Sequence, residues 1–103
     1  MPYQIGNYFV YILTNPLKTV LYIGVSNDLA RRIEEHNFES LNLGKSFAAR
    51  YNCVHLVHWE RFSSTEEGIS REKQLKKWNR AKKEWLISLT NPNWDFLEGD
   101  LDL

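Results

Sequence analysis

The sequence predicts an α+β domain with the element order β-β-α-β-α-α. Three observations carry that expectation. Two short runs of branched and aromatic residues flank an Asn-Pro turn, helix-capping residues follow the second run, and a capping box opens the C-terminal third. The first run, Tyr8-Phe9-Val10-Tyr11-Ile12-Leu13, stops at Thr14-Asn15-Pro16, where proline has no N–H to give to a ladder. The second, Val20 to Val25, follows closely enough for an antiparallel hairpin. A turn centred between Pro16 and Leu17 would set Tyr11 opposite Tyr22 and Phe9 opposite Gly24, with both tyrosine rings on one face. A slip of one residue would send the rings to opposite faces.

Ser26-Asn27-Asp28 can cap a helix over Leu29–His36, in which Leu29, Arg32, Ile33 and His36 share a face. Asn37 to Arg50 has no clear period and reads as a loop with an irregular short element. Cys53 to Glu60 reads as a third strand. Ser64 with Glu67 forms the capping box of a helix running to about Trp78. Continuing that helix would bring Lys82 into the apolar stripe. A restart with Asn79 as N-cap instead places Ala81, Trp85, Leu86 and Leu89 on one face, ended by Asn91-Pro92-Asn93. Trp94 to Leu97 then folds back before an acidic tail.

The chain has 103 residues, enough for one domain, 1–103, and too few for two separate cores. Apolar residues at 43% and aromatics at 14% supply a core. Formal net charge is zero, so overall charge points to no polyanionic partner. A single cysteine, Cys53, excludes an internal disulfide and reads as a small core residue. No apolar run suits a bilayer and no leader is visible, so the expected setting is cytoplasmic, away from membranes.

Charge is unevenly spread. Arg71, Lys73, Lys76, Lys77, Arg80, Lys82 and Lys83 crowd one segment that holds a single acid, Glu72. Such a segment is either a solvated helix surface or a phosphate-tracking patch. Glu72 could pair with Lys76 one turn on, or could meet a hard cation beside a phosphate. Arg32 offers a planar fork to a phosphate or a partner to Glu35, and His36, a turn away, titrates near neutrality. Gly24 within a strand marks a bulge or a close approach. His55 and His58 on opposite strand faces make a poor shared metal site, and Trp59, Trp78, Trp85 and Trp94 suit a core.

Taken in order, Val10-Tyr11-Ile12, Tyr22-Ile23-Gly24, Asn27-Asp28-Leu29-Ala30-Arg31-Arg32 with His36, and Arg71-Glu72-Lys73-Gln74-Leu75-Lys76-Lys77-Trp78 form one set. This set resembles the GIY-YIG endonuclease superfamily, and most closely its small stand-alone bacterial branch, from about Tyr8 to Trp94. The resemblance implies a three-stranded antiparallel sheet flanked by helices, bearing one site made of Tyr11, Tyr22, Arg32 and Glu72. The shared hairpin face and the ordered spacing of the motifs predict that these four converge around one solvent-open depression. It implies a hydrolase of DNA phosphodiesters, of the kind used in repair or recombination, dependent on Mg²⁺ or Mn²⁺ held by Glu72. In that reading Gly24 is the motif glycine, His36 joins the catalytic group, and Lys73, Lys76, Lys77 and Arg80 meet phosphate. The first motif departs from the family, with Phe9-Val10-Tyr11 in place of Gly-Ile-Tyr. The chain has no room for a separate DNA-binding domain, which leaves recognition to DNA shape or to a protein partner. The rival is a nucleic-acid-binding module of the same fold without turnover.

Overall fold

A computed structural model describes residues 7–41 and 46–101. Strand β1 (Tyr8–Thr14) lies centrally, with β2 (Leu21–Ser26) on one side and β3 (His55–Phe62) on the other, both antiparallel to it. Helices α1 (Leu29–Leu41) and α2 (Phe47–Arg50) precede β3, and α3 (Thr65–Lys77) and α4 (Arg80–Thr90) follow it. The expected α+β class and β-β-α-β-α-α order hold, with α2 as an added single turn.

The hairpin register differs from expectation by two residues: Tyr11 faces Gly24 and Leu13 faces Tyr22. The cause is Asn15. Its Oδ1 accepts from the backbone N–H groups of Thr19 and Val20, and its carbonyl accepts from Lys18, which sits in the left-handed region at φ 61°. The loop therefore uses more residues than a tight turn. An even shift preserves strand parity, so both tyrosines still project to one face.

Alternation splits the core in two. Val10, Ile12 and Ile23 pack with Val57, Leu75, Leu86 and Ile87 under α3 and α4. Tyr11 and Leu13 pack with Leu29, Ile33, Ala48, Cys53 and Leu56 under α1 and α2. Cys53 is fully buried, as expected of a small core residue. β3 carries a bulge: Leu56 faces Leu13 and His58 faces Ile12, which leaves Val57 as the extra residue. The Val57 carbonyl is satisfied by the Nδ2 of buried Asn91 at 3.0 Å.

Helix boundaries follow the caps. Ser64 accepts from the N–H of Glu67 and Asn79 from that of Lys82, so the predicted break between α3 and α4 is real. Three expectations need correction. Helix α1 runs on past His36 to Leu41; its last turns point Phe38 and Leu41 outward, which leaves no amphipathic period to read. Helix α4 buries Leu86 and Ile87, while Trp85 and Leu89 stand 53% and 60% exposed. Asn91 sets that rotation, since its side chain also holds Asp95 and must face inward. Trp59 is likewise half exposed rather than core. After α4 the chain folds back to β3, where Leu97 N–H donates to the Leu56 carbonyl and Glu98 accepts from Leu56 N–H. No helix among the described residues is long and apolar enough to cross a membrane.

Candidate active site

Tyr11 leaves the central strand beneath α1 and lies across Gly24 of β2. A Cβ on Gly24 would come within 2.4 Å of the Tyr11 hydroxyl and 2.6 Å of its Cζ. The glycine thus keeps the space that the phenol occupies. The Tyr11 hydroxyl is 3.1 Å from His36 Nε2, and His36 reaches it because Leu29, Ile33 and His36 form the buried face of α1. Tyr22 completes the group, its ring 6.4 Å from that of Tyr11 and 5.2 Å from that of His36. Tyr11 and His36 are each only 1% exposed. The expected solvent-open depression is therefore corrected: Tyr22 and Arg32 are half-buried, but the phenol and imidazole lie beneath them.

Burial, with help from Tyr22 and Glu72, pushes the Tyr11 hydroxyl up to about 12, against the opposing pull of the Arg32 guanidinium. Burial and the Arg32 charge hold His36 below its ordinary value, outweighing Glu39 and Glu35. Burial works against the Arg32 charge too, but Glu35 and Tyr11 outweigh it, and Arg32 stays firmly protonated. Its Nη1 donates to Glu35 Oε1 at 2.9 Å.

Both groups in the Tyr11–His36 contact are thus neutral near pH 7. His36 Nδ1 faces Glu39 Oε1 at 3.9 Å, and both atoms are buried with no hydrogen-bond partner among the described residues. A carboxylate opposite Nδ1 favours the tautomer with its proton there. Nε2 is then the acceptor, and the Tyr11 hydroxyl donates to it.

Glu72 stands on α3, which packs against β1 and β2. Its charge adds to the rise of the Tyr11 hydroxyl as the smallest of the causes, after burial and Tyr22. Its Oε2 meets Lys76 Nζ at 3.1 Å, and Oε1 has no hydrogen bond or ion pair among the described residues. No group of three or more His, Cys, Asp or Glu residues able to hold a metal occurs among the described residues. A lone carboxylate with a free oxygen fits Mg²⁺ or Mn²⁺ better than a cation needing a full protein cage, because Mg²⁺ keeps several waters and takes substrate oxygens.

The basic segment is partly committed to the fold. Arg71 forms a fork with Glu60 at 2.8 and 3.1 Å. Arg80, expected on phosphate, donates instead to Glu84 and to the carbonyls of Thr19 and Lys18, and lies over Trp94. That clasp ties α4 to the hairpin loop. Lys73 and Lys77 line an open hollow with Ser70, Gln74 and Trp78, and have no ion pair among the described residues. His55 and His58 go to different carboxylates, Glu98 and Glu60.

Sequence reasoning missed Glu39 and Phe47, which lie in the stretch Asn37 to Arg50 that reads as a loop, and Tyr51 just after it. The available signal was Ser46, a capping residue, followed by Phe47 and Tyr51 one helical turn apart. Phe47 stacks on Tyr22 with centroids 6.2 Å apart and planes at 24°.

Residues 7–84 match the GIY-YIG catalytic domain. The chain is similar to a UPF0213 protein of Natronomonas pharaonis, 35% identical over 81% of this chain and 93% of that one. It is also similar to a UPF0213 protein of Syntrophus aciditrophicus, 39% identical over 77% of this chain and 87% of the other. The solution NMR structure of a UPF0213 protein from Bacillus halodurans superposes with a TM-score of 0.54 at 32% identity, covering 85% of this chain and 89% of that one.

Proposed function

Given that this chain belongs to the GIY-YIG family, and so to a nuclease-type fold, we propose that it is a single-domain, metal-dependent DNA endonuclease. The observation that carries this reading is the Tyr11 hydroxyl held by His36 under Arg32 and Tyr22, within the field of Glu72. Hydrolysis requires a water to lose a proton, attack phosphorus in line and expel the 3′ oxygen while charge builds on the phosphoryl oxygens. Arg32, cationic and partly exposed, stabilises that charge as it grows.

A phenol with its pKa near 12 is no phenolate at neutral pH. Tyr11 acts as a neutral relay: its oxygen takes the proton of the water while its own proton passes to His36 Nε2, and Glu39 faces the imidazolium that forms. Tyr22, at the half-buried surface, orients the water or the phosphate. Glu72 would hold the Mg²⁺ or Mn²⁺ ion, which when bound supplies Lewis acidity at a phosphoryl oxygen and the leaving group. Lys73, Lys76 and Lys77 supply sequence-independent phosphate contacts, and Gly24 keeps room for the relay.

The test is nicking of branched and linear DNAs with added Mg²⁺ or Mn²⁺. Cleavage should require the metal and vanish in Glu72→Gln, while that variant binds DNA without metal at least as well as wild type. Wild-type cleavage rates in Glu72→Gln would refute the metal assignment. Binding without cleavage by the wild-type protein would leave a binding module.

A further inference from the structure

We propose that Phe47 and Tyr51 form a stacking platform for an unpaired nucleobase next to the scissile phosphate, which directs the domain to single-stranded or flapped DNA rather than continuous duplex. This rests on the nuclease reading and adds its substrate class. The rings run in file from the candidate site outward: Tyr11 to Tyr22 at 6.4 Å, Tyr22 to Phe47 at 6.2 Å, and Phe47 to Tyr51 at 4.7 Å. The inner members are covered, yet Phe47 is 51% and Tyr51 45% exposed.

Folding does not need these rings outside, because α2 anchors itself through Ala48 and Ala49, both buried. Its ends are fixed as well. Ser46 accepts from Ala49 N–H, Cys53 N–H donates to the Ala48 carbonyl, and Asn52, at φ 60°, takes a hydrogen bond from the Ser40 hydroxyl on α1. The result is a firmly held turn that leaves two aromatic rings, Phe47 next to Tyr22 and Tyr51 beyond it, about half exposed to water. Arg50, exposed on the same turn, has no ion pair among the described residues and can meet a backbone phosphate.

An aromatic face beside a cation is the chemistry that holds single-stranded nucleic acid, since every base offers a π-face of its own. Bases within a duplex are already stacked on one another and cannot lie on Phe47. Melting them costs a few kcal/mol per flipped base, so strands already unpaired bind with less penalty.

The experiment compares binding, without metal, of a single strand, a flap and the matching duplex, with 2-aminopurine in the unpaired strand as stacking reporter. Phe47→Leu and Tyr51→Leu should each weaken single-strand and flap binding by roughly five- to a hundredfold. Duplex binding should stay unchanged and the change in 2-aminopurine fluorescence should be lost. Phe47→Tyr and Tyr51→Phe, which keep the rings, should bind as wild type, and they test the idea even if a leucine variant unfolds. Equal losses on duplex and single strand, or no loss on either, would overturn the platform. Wild-type Mg²⁺-dependent cleavage of duplex in preference to single strand would overturn it while leaving the nuclease reading intact. Ring-dependent single-strand binding without cleavage of any DNA would support the platform and defeat that reading.

Discussion

Gly24 and Tyr11 share one volume, and the constraint is tested by filling it. Gly24→Ala places a methyl group where the phenol lies, within 3.0 Å of three ring or hydroxyl atoms. Forced repacking of this kind costs about 1–3 kcal/mol. The variant should unfold at lower urea, and the Tyr11–His36 contact and cleavage should be lost together. Combined with Tyr11→Leu, the two costs should add to less than their sum, because the clash is already gone. Arg32 and Arg31 provide a second contrast. Arg32 lies near the phenol, whereas the Arg31 side chain is 67% exposed and, among the described residues, reaches toward Glu35 at 3.8 Å. Arg32→Ala should lower turnover about a hundredfold or more with little change in DNA affinity, and Arg31→Ala should do little to either. Equal effects in a kinetic assay would show that Arg32 has no special role.

Between β3 and α3 the decisive contact is ionic. Burial alone would raise the Glu60 carboxyl, but hydrogen bonds from His58 and Arg71, with their charges, bring it down to about 2. A carboxylate lowered on folding stabilises the native state above its unfolded value, and that contribution disappears as pH falls through the folded one. Stability should therefore decline between about 4.5 and about 2, and Glu60→Gln should flatten that part of the profile in denaturant titrations. Local signals made many elements legible in the sequence. The capping residues Ser64 and Asn79, the β-rich runs and the Tyr11–Tyr22 parity each act within a few residues. The rotation of α4 was illegible because a polar residue, Asn91, buries itself to satisfy the Val57 carbonyl, a contact between distant segments. The clasp of Arg80 was illegible for the same reason, since its partners Thr19 and Lys18 lie far away in the sequence. Of the motif residues named in advance, Tyr11, Tyr22, Arg32 and His36 lie together. Glu39 and Phe47 could not be named, since their contacts depend on how the segment after His36 turns back.

Across the whole molecule, the sheet divides two cores, and the candidate site draws on both: Tyr11, Tyr22, Arg32 and His36 from the α1 side, Glu72 from α3. The C-terminal return serves the opposite flank. Residues 7–84 match the catalytic domain, yet Leu97 and Glu98, beyond it, bond both the carbonyl and the N–H of Leu56, while Phe96 stacks on His55 at 3.8 Å. Without that return, β3 would present unpaired donors and acceptors beside half-exposed Trp59, an edge on which another chain could template. Ending the chain at Trp94 should leave the motif residues in place but raise the apparent mass with concentration in light scattering, and the full chain should show no such rise. The tail is then a guard against self-association, and a fragment trimmed to the matched domain would sacrifice solubility before it sacrificed chemistry.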